Sequence, residues 1–120
     1  RYGYVTASSW KSASSRTLEY AYNDFCIAQV AKILNDAGQY QQLLKRSLNS
    51  FKLFYDSVGY FWAKDTLGRW MEDFSLQSKL RNAWDDPYFY EGGSEAYSYY
   101  VPHDMQGLVN RYGGAQAFVK

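Results

Sequence analysis

The sequence predicts a mainly α-helical chain in which antiparallel helix pairs are joined to a small β-hairpin and a long aromatic loop. Three observations predict it. Apolar residues recur at helical spacing from Leu18 to Leu34 and again from Tyr40 to Val58, the pattern of two amphipathic helices. The link Asp36-Ala37-Gly38 between them is short enough to make the two helices antiparallel neighbours. Beyond the second helix the period changes to short strand-like runs around turn residues, followed by an irregular stretch dense in rings.

The elements follow in order. Residues 1–13 read as an aromatic, serine-rich N-terminal loop. Ser14 or Ser15 is expected to cap the first helix, with Glu19 in its first turn, where a negative charge suits the helix dipole. Leu18, Tyr22, Phe25, Cys26, Val30, Ile33 and Leu34 share a stripe, and Tyr20, Ala21, Ile27, Ala28 and Ala31 widen it. A helix apolar over so wide an arc is buried on more than one side. Gly38 is expected to end it, and the second helix is expected from Gln39 to Ser57. Its basic residues Lys45, Arg46 and Lys52 read as a solvated face. Tyr60-Phe61-Trp62 and Arg69-Trp70-Met71 are then the arms of a hairpin turned by Asp65-Thr66-Leu67-Gly68. The hairpin is a structural flap or one wall of a pocket through Trp62 or Trp70. From Glu72 to Tyr100 no period holds, yet seven rings between Trp84 and Tyr100 argue for an ordered, functional loop. Asp104 is placed to cap a short helix from Met105 to Tyr112.

Composition narrows the function. With 120 residues the chain can hold one modest core, and 20% aromatic content is high. A net charge of +1 supplies no field for nucleic acid or an acidic membrane, so neither is an expected partner. No apolar run reaches the roughly 18 residues that span a bilayer. The one cysteine, Cys26, excludes an internal disulfide framework and reads as a small core residue. His103 is the one histidine, so a Cys/His zinc cluster has no ligand set, and Asp65 to Gly68 lacks the acidic positions of a calcium loop. No metal ligand is assigned within the chain. Arg1 carries neither an initiator methionine nor a signal-peptide pattern, and the helical pattern begun at Ala115 stops after barely more than one turn. Both ends read as cut, so residues 1–120 are expected to be a piece of a longer polypeptide.

The stretch richest in chemistry is Tyr90-Glu91-Gly92-Gly93-Ser94, followed by Tyr97 to Tyr100 and Val101-Pro102-His103-Asp104. A glutamate among rings has its charged form disfavoured by burial and can then serve as a general acid at neutral pH. Rings also hold the apolar faces of sugars while polar groups read the hydroxyls. His103-Asp104 reads either as a rigid corner, with Pro102 setting the backbone and Asp104 capping a helix, or as a site where His103 orients Glu91 or a sugar hydroxyl. Glu19, Asn23 and Asp24 carry the same two readings, a structural bond or a place at the active-site end.

Two stretches resemble one family. Ser15-Arg16-Thr17-Leu18-Glu19-Tyr20-Ala21-Tyr22-Asn23-Asp24-Phe25 and Glu91-Gly92 with Val101-Pro102-His103-Asp104-Met105-Gln106-Gly107-Leu108 look like the two signatures of glycoside hydrolase family 92. Lesser landmarks fit in order: Lys45-Arg46-Ser47, Gly59-Tyr60-Phe61, Gly68-Arg69-Trp70 and Gly113-Gly114. The resemblance implies a calcium-dependent, exo-acting α-mannosidase that inverts the anomeric centre, and a place for this chain within a catalytic (α/α)6 barrel. It implies that Glu91 is the general acid; Tyr90 and His103 stand beside it as candidate substrate-binding residues. It also implies that the catalytic base and the calcium ligands lie outside residues 1–120. A mannose-containing oligosaccharide or glycoprotein glycan would be the substrate, the remainder of the parent chain a partner, and a secreted or extracellular place fits such an enzyme. The chain departs from the family where Glu95-Ala96 stands in place of a Trp and a polar residue. That makes Glu95 a second candidate acid, ranked behind Glu91 by motif position. A different class of function remains alongside: a stand-alone, aromatic-rich carbohydrate-binding module without catalysis.

Overall fold

The computed structural model describes residues 2–9, 11–77 and 86–119. Trp84, one of the seven rings counted up to Tyr100, lies outside the described residues, as does Trp10. Helix α1 (Ala13–Ile33) is followed by α2 (Ala37–Ser47), a 3-10 helix (Leu48–Leu53), strands β1 (Phe54–Tyr55) and β2 (Tyr60–Phe61), and the short helices α3 (Ser94–Tyr97), α4 (Met105–Arg111) and α5 (Ala115–Phe118). The chain is mainly helical, as its pattern predicts.

Helix α1 begins earlier than its serines suggested. Ser14 and Ser15 lie inside it, Ser12 precedes it with φ 56° and makes no side-chain cap, and Glu19 is past the first turn. The N–H groups of the first turn, which have no partner within the helix, are instead taken by main-chain carbonyls of a distant loop: Ala13 donates to Pro87 O at 3.2 Å, and Ser14 and Ser15 donate to Tyr88 O at 2.8 and 3.1 Å. At the other end Asn35, not Gly38, adopts the left-handed conformation, with φ 58°. Gly38 sits in the first turn of α2, whose N-cap is Asp36, accepting from Gln39 N at 3.0 Å. The expected second helix is also shorter. Ser47 Oγ donates to Leu44 O at 2.7 Å and Ser50 Oγ to Ser47 O at 3.5 Å, and such hydroxyl bonds compete with the α-helical ladder. The chain tightens into the 3-10 helix there.

Helices α1 and α2 run antiparallel. Lys32 lies over the Tyr40 ring near the link, while Asp24, a turn or two further back along α1, bridges Arg46 near the far end of α2 at 3.0 Å. The buried face of α1 is mostly small: Ala13, Ala21, Ala28 and Ala31, with Leu18. Small side chains let α2 lie close. The larger apolar residues face elsewhere, Ile33 at 78% and Leu34 at 72% exposure. Cys26 is exposed as well, which corrects its reading as a core residue: α2 covers the alanine face, and Cys26 is not on it.

The hairpin is also rearranged. Strand β2 pairs with β1 in antiparallel register, Phe54 opposite Phe61 and Tyr55 opposite Tyr60, rather than with residues 69–71. The connecting turn places Gly59 at φ 74°, a conformation that suits glycine. The Asp65–Gly68 turn does form, closed by a separate bridge between Lys64 and Trp70. Asp65 accepts there from the Leu67 and Arg69 N–H groups at 2.8 and 2.9 Å and from Arg69 Nε at 2.8 Å. Trp62 and Trp70 are packed and each also lines a concavity: Trp62 Nε1 donates to Met71 O at 2.8 Å, the Trp70 ring stacks on Tyr55 at 4.4 Å, and the two border separate hollows that share Asp73 and Tyr88.

Two cores result. Leu18, Leu53, Phe54, Phe61, Val101 and Leu108 form one, and Trp62, Ala63, Tyr88 and Phe89 form the other. Each fully buried large side chain contributes about 1.5–3 kcal/mol. Helix α3 is laid on β2 by two buried serines. Ser94 Oγ donates to Phe61 O at 2.6 Å, Ser98 Oγ accepts from Phe61 N at 3.0 Å, and Ser98 Oγ donates to Ser94 O at 2.6 Å. Asp104 caps α4 as expected, accepting from Gly107 N at 2.9 Å. A Cβ at Gly107 would collide with that carboxylate.

Ser98→Ala leaves the buried Phe61 N–H without its acceptor and is expected to destabilise the fold by about 1–3 kcal/mol. Denaturant unfolding of the polypeptide that carries the segment measures it, and an unchanged midpoint would contradict the assignment.

Candidate active site

Glu91 owes its position to the N-terminus of α1. The loop before it is folded on Asp86, whose Oδ1 accepts from Tyr88 N at 2.8 Å and Phe89 N at 2.9 Å. That turn aims the Pro87 and Tyr88 carbonyls at α1, and Ser12 Oγ adds a donor to Phe89 O at 3.5 Å. On the far side of Glu91, the Ser94 and Ser98 hydroxyls anchor the chain to β2. Tyr97 closes the loop by donating its hydroxyl to Tyr90 O at 2.9 Å. Glu91 is held between these anchors with φ 54°. A left-handed conformation costs a non-glycine residue roughly 1–2 kcal/mol, and strain of this kind collects at functional sites.

The sequence led us to expect Glu91 to be buried among rings. Within this segment it is exposed, as is Glu95 in the first turn of α3. The rings lie to one side. Tyr90 and Tyr97, with Tyr20 and Glu19 from α1, line a concavity of about 430 Å3. Glu19 faces it as the acceptor of the Tyr100 hydroxyl, Oε2 at 2.9 Å. Burial pushes the Tyr97 phenol up, and the charges of Glu19 and, more weakly, Glu91 add to the shift. Glu19 thus takes a structural hydrogen bond and also lines this concavity.

Tyr90, a candidate binding residue, is half-exposed on this concavity. His103 lies elsewhere. Its Nε2 is 2.9 Å from Ser47 O, and its ring rests against Tyr22 and Phe25 with centroids at 6.1 and 5.6 Å. Its partners tie the α4 corner to α1 and α2, the rigid-corner arrangement, and none of them is Glu91. Asp24 likewise takes a structural partner in Arg46, so Arg46 belongs to the helix pairing as well as to a solvated face.

The resemblance implies calcium. Among the described residues no three His, Cys, Asp or Glu side chains converge on a point that would hold a metal ion. The described residues do not form a calcium cradle. Also among the described residues, no helix is long and apolar enough to cross a membrane.

Glu91 thus stands in left-handed backbone next to Tyr90, on a mainly helical scaffold. The chain belongs to glycosyl hydrolase family 92: the model of that family's catalytic domain matches residues 1–120. It is 32% identical to an uncharacterized secreted glycosidase of Arthroderma benhamiae, over 98% of this chain and 17% of that protein. An inverting mannosidase of the family from Bacteroides thetaiotaomicron superposes with a TM-score of 0.88 at 34% identity, over 98% of this chain and 15% of that one. A family GH92 alpha-mannosidase from the same organism in complex with mannoimidazole superposes at 0.89 and 33% identity, over 98% and 16%. The helical pairing described above is that of these (α/α)-barrel enzymes. The chain thus spans about a sixth of the relatives it matches.

Two outcomes test this geometry. Glu91→Gly relieves the left-handed strain and is expected to stabilise the polypeptide by about 1 kcal/mol, whereas Glu91→Ala is not; melting temperatures that rank the two in the opposite order would refute the strain. Burial first, then Glu19, pushes the Tyr100 phenol up to about 12, and burial with the Asp73 charge pushes Tyr88 there too. Folding keeps these phenols neutral, so their stability is present below pH 10, where the unfolded chain begins to ionise, and is lost as pH rises towards 12. Tyr88→Phe should shrink that alkaline loss in a pH series of denaturation midpoints, and an unaltered pH dependence would count against it.

Proposed function

We propose that this segment is an internal part of the catalytic barrel of an exo-acting α-mannosidase, and that Glu91 is its proton donor. The observation that carries the reading is the position of Glu91. It stands at the head of the family's second signature, in strained backbone, beside a ring-lined concavity. The substrates proposed for the parent enzyme are terminal mannose residues of N-glycans or mannans, in keeping with the neighbour that is named a mannosidase and the one in complex with mannoimidazole.

The mechanism follows from inverting hydrolysis. Glu91 donates its proton to the glycosidic oxygen as the bond from that oxygen to the anomeric carbon breaks. Water attacks the anomeric carbon from the opposite face and gives its proton to a carboxylate base, leaving room for the water between acid and base. Glu91 can supply the first half. The base is proposed to come from elsewhere in the parent domain, as is any calcium site. Inversion is in keeping with the neighbour that is named an inverting mannosidase. Secretion is proposed on the likeness to the fungal relative, which is named a secreted glycosidase. Family membership favours this catalytic reading over a stand-alone binding module.

Glu91→Gln in the full-length polypeptide tests the assignment. Turnover of a mannoside with a poor leaving group should fall by about 10²–10⁴-fold, while an activated aryl mannoside, which needs less protonation, should lose much less. Equal losses on the two substrates, or no loss, would remove Glu91 from the role.

A further inference from the structure

We propose that Tyr97 is a positioning residue for the proton donor: its hydroxyl and its ring together hold the two peptide units that flank Glu91 and so set the direction of the Glu91 carboxyl. The proposal rests on Glu91 as the proton donor. A general acid must stand within about 2.6–3.2 Å of the atom it protonates, and the backbone on either side of its Cα decides where its side chain starts. Each peptide unit is a rigid plane, so the chain turns only at φ and ψ of the residue between two planes. Holding both planes therefore holds Glu91.

Tyr97 reaches both planes. Its hydroxyl donates to Tyr90 O at 2.9 Å, an atom of the plane that enters Glu91. Its ring lies against Gly92, at the end of the plane that leaves Glu91: a Cβ added to Gly92 would meet the ring at Cε2, 3.6 Å away, and at Cδ2, 3.8 Å away. Tyr97 N also donates to Gly93 O at 3.2 Å. The tyrosine is itself firmly held. It packs against both hydrophobic cores, with the Phe89 and Tyr100 ring centroids at 5.5 and 6.3 Å. Helix α3, which carries it, is fastened to β2 through Ser94 and Ser98. Burial first, then the Glu19 charge, push its phenol up, so the hydroxyl keeps its proton and remains a donor at neutral pH. Between these holds Glu91 takes φ 54°, a conformation that persists in a glutamate where the surroundings over-determine it. One side chain thus fixes the backbone before and after the acid.

The test uses the full-length polypeptide and two substrates, a mannoside with a poor leaving group and an activated aryl mannoside. Tyr97→Phe keeps the ring and removes the hydrogen bond. On the poor leaving group kcat should fall about tenfold with KM unchanged, while the activated mannoside loses much less. In the Glu91→Gln background the same change should have no further effect, because a misplaced acid and an absent acid are one loss. Replacing Tyr97 with 4-aminophenylalanine, which keeps the ring and offers an N–H donor, should restore most of the turnover; a protein no better than Tyr97→Phe counts against the proposal. Equal losses on the two substrates, no loss on either, or an additive loss in the Glu91→Gln background would overturn it and leave Glu91 in its role. A Tyr97→Phe protein that does not fold would make the hydroxyl a support of the whole domain and overturn it too. A Glu91→Gln protein without a selective loss would instead defeat the proton-donor reading, and this proposal with it.

Discussion

The first turn of α1 has no side-chain cap, and the structure around the candidate site depends on how that deficit is met. Three N–H groups there would lie unpaired against the protein if the Pro87–Tyr88 main chain did not accept from them. A buried, unpaired donor costs roughly 1–3 kcal/mol, so the clasp holds residues 86–89 firmly against the helix. Asp86 pre-shapes the loop for this by taking the next two N–H groups on its own carboxylate. Because Tyr90 and Glu91 follow directly, the position of the catalytic candidate is inherited from a main-chain contact between segments more than seventy residues apart. Among the described residues no bond to its own side chain contributes.

The second anchor is equally indirect. Ser94 and Ser98 satisfy both main-chain groups of Phe61, so α3 behaves as though it were a further strand beside β2. Glu91 then has fixed chain on both sides, and a left-handed residue is the result. Strain of this kind persists where the surroundings over-determine it. The aromatic network, from Trp62 through Tyr88 and Phe89 to Tyr97 and Tyr100, joins the hairpin to α1 by ring contacts with centroids between 5.0 and 6.4 Å. It gives the site a rigid wall of large apolar area with phenol groups at its edge.

The exposed apolar residues of α1 have the same origin as its buried alanines. A helix in a barrel of paired helices meets neighbours on more than one side. Here α2 covers the alanine face, while Ile27, Val30, Ile33 and Leu34 stay exposed. The wide apolar arc read from the sequence is thus only partly covered within this chain, which spans about a sixth of the relatives it matches.

Local chemistry was legible without coordinates. The two helices follow from apolar spacing, the Asp104 cap from an acidic residue before a helical run, and the Asp65–Gly68 turn from turn-forming residues. Glu91 stood out because a glutamate beside two glycines among rings is unusual, and the family model matches residues 1–120 as a whole. What depends on distant partners was not legible. The start of α1 differs from its expected place because its first N–H groups are taken by the carbonyls of Pro87 and Tyr88, and carbonyls carry no sequence signal. The partner of β2 was misjudged because two short aromatic runs satisfy the same pattern. His103 could not be separated from Glu91 by sequence, since proximity along the chain says nothing of which side the Val101–Asp104 corner faces. The sequence determined which groups were available, their types and their local spacing. Tertiary structure alone decided which of them meet, because the hydrogen bonds and ring contacts that assemble the site join segments with no common period.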